Sequence, residues 1–447
     1  MFVCWCLAAT VIINAAGCKK YLDEKPNKSF AEPTTLPDLQ AMLDYYQTMS
    51  TKDPAAGEIS ADNYFLSDDN YDAQETETAR RMYTWQKDNL FDAQFNDWAN
   101  VYKIVYVADV VLAQSEALPK TDPALWSNVQ GQALVYRAKA LLQAATIWAP
   151  AYDPASAAAD LSVPIRLTAD EKVKSVRSSN EQCYAQIISD LKKAIRLLPE
   201  KQITPLRPSK SAAYGLLSRT YLYMGNYSSA GLYADSCLQL QHTLLDYNTL
   251  AASARYPVPK LNSEVIFESS IPNGGPISTA YAFIDTGLYS SYERNDLRRK
   301  VFFKANAFGY FSFKGSYEGG SPQFSGLATD EMYLTRAECY ARGGNLQAAL
   351  ADLNTLLKAR YNASFSERTA TDATGALNQI LAERRKELLM RGLRWADLKR
   401  LNKSGAGIVL TRNIHGTAYA LPANDLRYAL PIPDDIIALT GMPQNPR

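Results

Sequence analysis

Histidine is the scarcest residue type in this 447-residue sequence, which contains only His242 and His415. Two isolated histidines nearly exclude histidine-rich metal sites and histidine-based catalytic triads. The sequence also lacks a Gly-x-Ser-x-Gly nucleophile motif, a phosphate-binding Gly-Lys-Ser/Thr loop and a Cys-x2-Cys pair. We therefore expect no catalytic residues, no metal and no cofactor.

Net charge is also small, because 47 lysines and arginines nearly balance 46 aspartates and glutamates. A nucleic-acid-binding surface needs clustered basic residues, so the formal charge of +1 argues against nucleic acid as a partner. Beyond the N-terminus, no apolar run approaches the roughly 20 residues that a membrane-spanning helix requires.

The apolar run at the N-terminus extends from Phe2 to Ile13 and is followed by Asn-Ala-Ala-Gly and then Cys18. It is too short to cross a bilayer, and small residues before a cleavage point are typical of an export signal, which we predict at 1–17. The Ala-Gly-Cys ending resembles a bacterial lipobox, which implies that Cys18 is acylated and that 18–29 form a lipidated tether. An ordinary secretory signal with an incidental cysteine is the alternative. No Lys or Arg precedes the run, so we expect that the start is truncated.

Cysteine is sparse in the rest of the chain. Of the six cysteines, two belong to the predicted signal and one is Cys18. Cys183, Cys237 and Cys339 remain, an odd number, and each lies among apolar residues at helical spacing. We predict that they are small core residues and not a disulfide framework.

Helical periodicity dominates the chain, and strand signals are few and short. A capping box is predicted at Ser178, with Glu181 reaching back to its amide. The predicted helices are Asp97–Leu118, Asn128–Trp148, Glu181–Leu198, Lys210–Tyr223, Ser228–Leu240, Asp330–Arg342, Leu346–Arg360 and Ala376–Leu401.

Two segments resemble each other and a tetratricopeptide helical hairpin. Each places an aromatic residue near the end of one helix, then a Gly-Asn turn, then an alanine where the returning helix packs: Tyr221 to Ala230 and Tyr340 to Ala349. The two segments are about 120 residues apart, whereas a tetratricopeptide array repeats every 34. We therefore predict a mostly α fold of scattered helix pairs with long insertions and few short strands.

Four insertions separate these helices, at 50–96, 149–175, 241–329 and 402–433, and they are rich in Gly, Pro, Ser, Asn, Asp and aromatic residues. Long loops in compact proteins are usually functional or disordered. Disordered segments are poor in aromatic residues, whereas 50–96 and 241–329 are rich in them, so we expect these insertions to be ordered. We assign residues 30–447 to one domain and place the ligand loops within 50–96 and 241–329.

The C-terminal third carries a specific resemblance. Residues 383–400 closely resemble the signature helix of SusD/RagB proteins, E-R-x-x-E-L-x-x-E-G-x-R-W-x-D-L-x-R. The closing Leu430-Pro-Ile-Pro and Gln444-Asn-Pro are similar to that family's C-terminal pattern, and Trp98-x3-Tyr102 resembles its first long helix. The resemblance covers essentially the whole mature chain. Arg391 and Asp109 depart from the family pattern, and we expect local re-pairing of packing contacts at both positions.

We predict that the signature helix has a structural role, with ion pairs along it between Glu387 and Arg391 and between Arg394 and Asp397. Glu383 and Glu387 share a helix face, but their basic neighbours would keep both carboxylates ionised and unsuited to acid catalysis. We therefore do not predict an enzyme.

The family resemblance implies a lipoprotein on the outer face of a Bacteroidetes-type outer membrane. There it would capture a nutrient and deliver it to a SusC-like TonB-dependent transporter. Neutral overall charge suits an uncharged oligosaccharide, and tyrosine-rich loops suit stacking on sugar faces.

Our candidate ligand-binding residues follow from loop position and composition. They are Asn63, Tyr64, Asp69 and Tyr71 in the first insertion, and Tyr281, Tyr289 and Tyr310 in the third. Trp98 is assigned to the core because its helical spacing with Tyr102 favours burial. The acidic run 68–72 lacks the glycine and the distal glutamate of an EF-hand loop, so we interpret it as a solvated acidic loop and not as a calcium site.

Two other functions remain open from the sequence. The first is a non-catalytic surface scaffold or peptide-binding module that uses the tetratricopeptide-like hairpins. A glycosidase with paired carboxylates is the more distant alternative.

The lipid anchor can be tested by labelling. In cells supplied with radioactive palmitate, the wild-type chain should be labelled, and Cys18→Ala should carry no label because the acylated thiol is gone. Cys183→Ala serves as the matched control and should be labelled like the wild type. Unaltered labelling of Cys18→Ala would mean that the anchor has been misidentified.

Overall fold

The computed structural model describes residues 33–447. The predicted signal, Cys18 and the predicted tether lie outside the described residues. Within them, the chain is mainly helical, and none of the described helices combines the length and apolar character needed to cross a bilayer.

The helices confirm most of the predicted segments within a few residues. In chain order they are α1 Leu36–Leu43, α2 Tyr46–Met49, α3 Ala56–Ser60, α4 Asp68–Asp72, α5 Glu77–Tyr83, α6 Asp97–Ala117, α7 Pro123–Trp148, α8 Asn180–Leu197, α9 Lys210–Tyr223, α10 Tyr227–Leu240, α11 Thr286–Ser290, α12 Arg298–Val301, α13 Thr329–Arg342, α14 Leu346–Lys358, α15 Ala373–Glu387, α16 Arg394–Lys403 and α17 Asp434–Thr440.

Most long helices begin at a polar residue whose side chain accepts a hydrogen bond from the backbone amide three residues on, which satisfies an otherwise free donor. These cap residues are Asn96, Asp122, Ser179, Ser209, Asn226, Asn345 and Asp372. The capping box predicted at Ser178 and Glu181 is wrong by one residue, because the Ser178 hydroxyl donates to the Val163 carbonyl at 2.6 Å. Ser179 and Gln182 form the box instead.

The two predicted hairpins are α9–α10 and α13–α14. Each turns at a glycine with a left-handed backbone, Gly225 (φ +72°) or Gly344 (φ +80°), and the following Asn226 or Asn345 caps the returning helix. The pairs are scattered along the chain but contiguous in space. The helices pack in the order α6, α7, α8, α9, α10 and α13, and α13 then contacts both α14 and α15.

Close packing joins the two hairpins directly, although the insertion 241–329 separates them in sequence. Helix α10 lies against α13, where a Cβ on Gly231 would come within 2.9 Å of the Cβ of Cys339. A side chain at position 231 would therefore push the two helices apart. The glycine allows one continuous scaffold from two distant segments.

The strands form six antiparallel pairs in the described part of the chain. Their bounds and partners are β1 Tyr64–Phe65 with β6 Phe283–Ile284, β2 Leu161–Pro164 with β3 Arg177–Ser179, β4 Val265–Phe267 with β10 Leu327–Ala328, β5 Ser270–Ile271 with β9 Gln323–Phe324, β7 Phe303–Ala305 with β8 Phe311–Phe313, and β11 Leu410–Ile414 with β12 Thr417–Leu421. All four predicted insertions contain short helices or strands, as expected for ordered segments.

Separate hydrophobic clusters lie beneath the helices and beneath the insertions. The largest joins the N-terminal helices to α16 and includes Trp98, Trp148 and Trp395. A second cluster is built mainly from the first and third insertions and includes Tyr83 and Phe302. The insertions thus have their own core. Trp98 is buried and packs on Tyr102 at a ring distance of 4.7 Å, which confirms its assignment to the core.

All three remaining cysteines are free. Cys183 and Cys237 are buried and Cys339 is partly buried, which confirms that they are packing residues and not a disulfide framework.

The long C-terminal helix predicted over Ala376–Leu401 is wrong in one respect, because it is broken in two. Helix α15 ends at Glu387 and α16 begins at Arg394. Between them, Met390 (φ +58°) and Gly392 (φ +70°) adopt the left-handed backbone, and the Gly392 amide donates to Glu58 Oε2 at 2.8 Å. The break follows from tertiary contacts, since a Cβ on Gly392 would lie 2.9 Å from Ile271 Cδ1.

Buried charges converge on the C-terminal end of α15. Glu387 accepts from the guanidinium groups of Arg298 at 2.8 Å and Arg360 at 2.7 Å, and all three side chains are fully buried. Arg298 also binds Glu383 at 2.8 Å, and Arg360 binds Glu264 at 2.7 Å. We call these five residues the buried ion network.

A second group of charges ties α16 to its neighbours. Asp397 accepts from Arg384 at 2.9 Å and Arg400 at 2.7 Å, and Arg400 also binds Glu338 on α13 at 2.6 Å. The pairs predicted along a single helix, Glu387–Arg391 and Arg394–Asp397, are therefore replaced. Arg391 lies in the break beyond the end of α15, and Arg394 binds Asp62 at 2.7 Å instead of Asp397.

Arg391 and Asp109, the two residues that depart from the family pattern, both form local ion pairs, as expected. Arg391 binds Asp330 at 2.8 Å and lies over the ring of Tyr317 at 4.2 Å. Asp109 accepts from Arg137 on α7 at 2.8 Å, and this arginine also binds Asp190.

Removing one member of the buried ion network should be costly. Glu387→Gln leaves Arg298 and Arg360 without their shared carboxylate, so the free energy of unfolding should fall by about 3–5 kcal/mol. Glu77→Gln, at an exposed pair with Arg80 on α5, should change it by less than about 1 kcal/mol. Urea denaturation of the three proteins measures both effects, and equal small losses would contradict a structural role for the network.

Acid should destabilise the fold by protonating the Glu387 carboxylate. Burial alone would raise the pKa of Glu387, but Arg360 and Arg298 outweigh it and lower the pKa from 4.5 to about 2. The stabilisation is therefore complete above about pH 4.5 and is lost as the pH falls towards 2. Between these values, the wild-type chain should lose more stability than Glu387→Gln, and parallel curves would contradict this assignment.

Candidate ligand-binding surface

The first and third insertions, which the sequence singled out as ligand loops, meet at one place. Strand β1 pairs with β6, with Tyr64 opposite Ile284 and Phe65 opposite Phe283. A second link lies beside it, where the Asn70 side-chain amide donates to the Tyr281 carbonyl at 2.8 Å. Residues more than two hundred positions apart in sequence therefore form one surface.

Two of the candidate ligand residues hold this junction together from inside. Asn63 is buried, its side-chain amide donates to Glu58 at 2.8 Å, and its backbone carbonyl accepts from the Asp285 backbone amide at 3.0 Å. Tyr64 is also buried, and its hydroxyl donates to the Ile59 carbonyl at 2.9 Å. Neither side chain is open to a ligand, so both position the surface and do not form it.

A two-stranded hairpin, β7–β8, supplies the outermost aromatic residues. At its tip, the Asn306 side-chain oxygen accepts from the amides of Phe308 and Tyr310, both at 2.9 Å, and Gly309 has a φ of +81°. This turn leaves the Phe308 side chain 79% exposed and that of Tyr310 37% exposed. Large aromatic side chains held in water by an ordered turn are available for binding.

Tyr310 packs into a group of three rings at the β1–β6 junction. Its ring stacks on Phe283 at 5.3 Å and meets the edge of Phe65 at 5.1 Å. Phe283 is buried and Phe65 is half-buried. The hairpin tip is therefore anchored to the first insertion.

Tyr289 on α11 forms a second group with the same hairpin. Its ring stacks on Phe311 at 3.6 Å between centroids. The guanidinium of Arg299 lies 4.6 Å from the Tyr289 ring and donates to its hydroxyl at 3.1 Å. This group presents a flat ring, a hydroxyl and a cation side by side.

We name the four partly or fully exposed rings of these two groups, together with Phe308 and Tyr281, the aromatic face. Its members are Phe65, Tyr281, Tyr289, Phe308, Tyr310 and Phe311. The remaining two candidates lie on the adjoining helix α4, where Asp69 is exposed and Tyr71 is half-buried, 6.0 Å from the ring of Tyr83.

Helix α4 contains the acidic run 68–72, which we interpret as a solvated acidic segment and not as a calcium loop. Ser67 caps it, and His415 binds its ends, with the His415 amide donating to Asp68 and the ring nitrogen 2.9 Å from Asp72. The hydrogen bond with Asp72 raises the pKa of His415 above its usual value. Among the described residues, no group of three or more acidic, histidine or cysteine side chains is placed to hold a metal ion.

The chemistry available here is binding. Rings stack on flat apolar faces, while the Tyr289 and Tyr310 hydroxyls, Arg299 and Asp69 provide donors and acceptors at the edges. The carboxylates weighed for acid catalysis lie elsewhere, in the core. Burial would raise the pKa of Glu383, but Arg298 and Lys386 outweigh it and hold the pKa below its usual value, so this carboxylate stays ionised.

Sequence reasoning missed Phe65, Phe308, Phe311 and Arg299. A usable signal existed for the hairpin, because Phe308-Gly-Tyr310-Phe311 follows Asn306, and a dense aromatic cluster at a turn residue indicates an exposed tip. No comparable signal exists for Phe65, which differs from buried Tyr64 only by the strand alternation.

Two family models match the chain and together span most of it. The model described as "Starch-binding associating with outer membrane" matches residues 20–222, and the model described as "SusD family" matches 305–447. A search of curated proteins finds no match.

Solved structures agree in fold over nearly the whole chain. A SusD superfamily protein from Bacteroides thetaiotaomicron superposes with a TM-score of 0.74 at 22% identity, covering 92% of this chain and 100% of that one. A SusD-like carbohydrate binding protein from Bacteroides vulgatus gives 0.70 at 20% identity, covering 92% and 97%. A laminarin binding SusD-like protein gives 0.66 at 18% identity, covering 91% and 97%.

Proposed function

We propose that this chain, which belongs to the SusD family, is a non-catalytic surface protein that binds an oligosaccharide on its aromatic face. The observation that carries the proposal is the ordered β7–β8 hairpin, whose tip exposes Phe308 and Tyr310 and whose Phe311 stacks on Tyr289. A single exposed ring is common on protein surfaces, whereas several rings grouped on an ordered hairpin are typical of a binding site.

The arrangement suits a sugar in two ways. Pyranose rings have apolar faces that stack on aromatic rings, and their hydroxyl groups need the donors and acceptors that Arg299 and Asp69 supply. The near-neutral charge of the chain favours an uncharged glycan over a polyanion. The carbohydrate-binding and laminarin-binding proteins that share the fold support the same ligand class.

The proposal extends to location and partner. Acylation at Cys18 would anchor the chain in the outer membrane, facing outwards, and a SusC-like TonB-dependent transporter would receive the glycan. The description of the matching family model as associating with the outer membrane supports this location. Within the described residues the chain has no membrane-spanning helix, so in this proposal the lipid is the anchor.

Truncating the hairpin tip should weaken glycan binding. Phe308→Ala and Tyr310→Ala should each reduce affinity about tenfold or more, because each removes an exposed ring on which the glycan would stack. Calorimetric titration with maltooligosaccharides, laminarin oligosaccharides and other plant and host glycans measures this. Phe95→Ala is the matched control, since Phe95 is 93% exposed but lies beside α17, and its affinity should be unchanged.

Two outcomes would contradict the assignment. Equal binding by wild type, Phe308→Ala and Tyr310→Ala would place the glycan elsewhere on the molecule. Failure of every oligosaccharide to bind, together with binding of peptides, would favour the scaffold or peptide-binding alternative.

The transporter is tested separately. Immunoprecipitation of the native chain from detergent-solubilised outer membranes should recover a TonB-dependent transporter, identified by mass spectrometry, and the gene of that transporter should neighbour this one. Recovery of the chain without any such transporter would contradict the partner while leaving glycan binding unaffected.

A further inference from the structure

A concave site lies beside the C-terminus and is lined by none of the residues of the aromatic face. It is a cavity of about 620 Å³, within the range of small-molecule sites. The end of α7, strand β3, helix α16, the loop after β12 and the closing Asn445-Pro446 surround it. Leu161 and Leu426 on its wall are both substantially exposed.

Lys399 of α16 lies in this wall and is only 5% exposed. Its ammonium donates to two backbone carbonyls at the end of α7, Thr146 at 2.7 Å and Ala149 at 2.5 Å. No carboxylate among the described residues lies within ion-pair distance of it. One of its three donors is therefore left without a protein partner.

Arg177 of β3 is the second cation in the wall, and within residues 33–447 it forms no ion pair with a carboxylate. Its guanidinium donates only to neutral acceptors, which are the carbonyls of Leu161, Ser162 and Pro443 and the side-chain oxygen of Asn445. Burial lowers the pKa of this guanidinium to about 10, as expected for a cation without a charged partner.

Asn445 connects the two cations. Its oxygen accepts from Arg177 at 2.7 Å, and its amide donates to the Trp148 carbonyl at 2.8 Å, one residue from the carbonyl that Lys399 binds. The Asn445 side chain thus lies between the Arg177 guanidinium and the backbone stretch that Lys399 binds. Arg298 and Arg360, by contrast, contact carboxylates, whereas the buried Arg412 donates to the backbone carbonyls of Ile59 and Ala61.

The other charges of the cavity are accounted for within the protein. Lys403 binds Asp153 at 2.6 Å, and Asp425 binds Arg427 at 2.8 Å. Asp160 is the lining carboxylate without a cation, and it accepts from the Ser156 hydroxyl at 2.6 Å. Asp160 is thus one negative charge beside the two positive charges of Lys399 and Arg177, so the cavity wall has an excess positive charge.

We propose that this cavity binds a small ligand carrying one carboxylate, of the size of a hexuronic acid, with the carboxylate held by Lys399 and Arg177 and the body of the ligand against Leu161 and Leu426. A carboxylate brings the charge that the two cations lack and the acceptors that their remaining donors need. The site is independent of the aromatic face and of the glycan proposed there.

The probe for this cavity is D-glucuronate. D-glucose is the matched neutral sugar that lacks the carboxylate, and sulfate tests whether any small anion binds. Calorimetric titration of the full mature chain at about pH 6 should detect glucuronate binding and no glucose binding. Lys399→Met, which keeps the apolar stem, and Arg177→Gln should each weaken binding about tenfold or more. Lys403→Met is the matched control at the rim and should stay within about twofold of the wild type.

The pH dependence gives a readout that a purely structural lysine would not change. Burial lowers the pKa of the free Lys399 ammonium to about 7, and a bound carboxylate favours the charged form. Affinity for glucuronate should therefore fall about tenfold between about pH 6 and about pH 8. Arg177, Lys403, Asp160, Asp425 and Tyr428 also face the cavity, and with Lys399→Met the dependence should flatten.

Three results would overturn the proposal. The first is that glucuronate does not bind at about 10 mM. The second is that the wild type and both cavity variants bind glucuronate equally well, although thermal melts show that the variants are folded. The third is that sulfate competes for the site as well as glucuronate binds to it, which would mean an unselective anion site. None of these outcomes bears on the aromatic face, whose test uses neutral oligosaccharides.

Discussion

The shared carboxylate of Glu387 is the constraint on which the rest of the structure depends. Its two oxygens accept from Arg298 and Arg360, so one side chain at the end of α15 joins α12 in the third insertion to the segment that follows α14. All these groups are shielded from water, where an unpaired charge is costly. The elements that carry them are therefore held in one relative position.

The buried ion network also determines where the aromatic face lies. Arg299, which holds Tyr289, is the neighbour of Arg298 in α12, and β7 starts directly after that helix. The hairpin that exposes Phe308 thus projects from an element anchored by buried charges. Binding residues on loops keep a defined geometry when a rigid scaffold positions their ends.

Much of this arrangement was predictable, and the errors have specific causes. Helical periodicity and the Gly-Asn turns predicted both hairpins, since these signals act within a few residues. The break between α15 and α16 was not predictable, because it depends on Ile271 and Glu58 lying against Gly392. Among the candidate ligand residues, Tyr289 and Tyr310 lie on the aromatic face, whereas Asn63 and Tyr64 are buried beneath it. Loop composition identified the insertions that meet at this surface, but not which side of a strand faces water.

By itself, the sequence determined the helical class, the hairpins and, through residues 383–400 and the closing Gln444-Asn-Pro, the family. These properties depend on local spacing and on motif identity, which are read directly from residue order. The tertiary structure alone decided which charges share the core, that β1 meets β6, and that Lys399 and Arg177 line one cavity. The physical reason is that burial and charge pairing depend on residues brought together from distant parts of the chain, and their partners are chosen only when the helices pack.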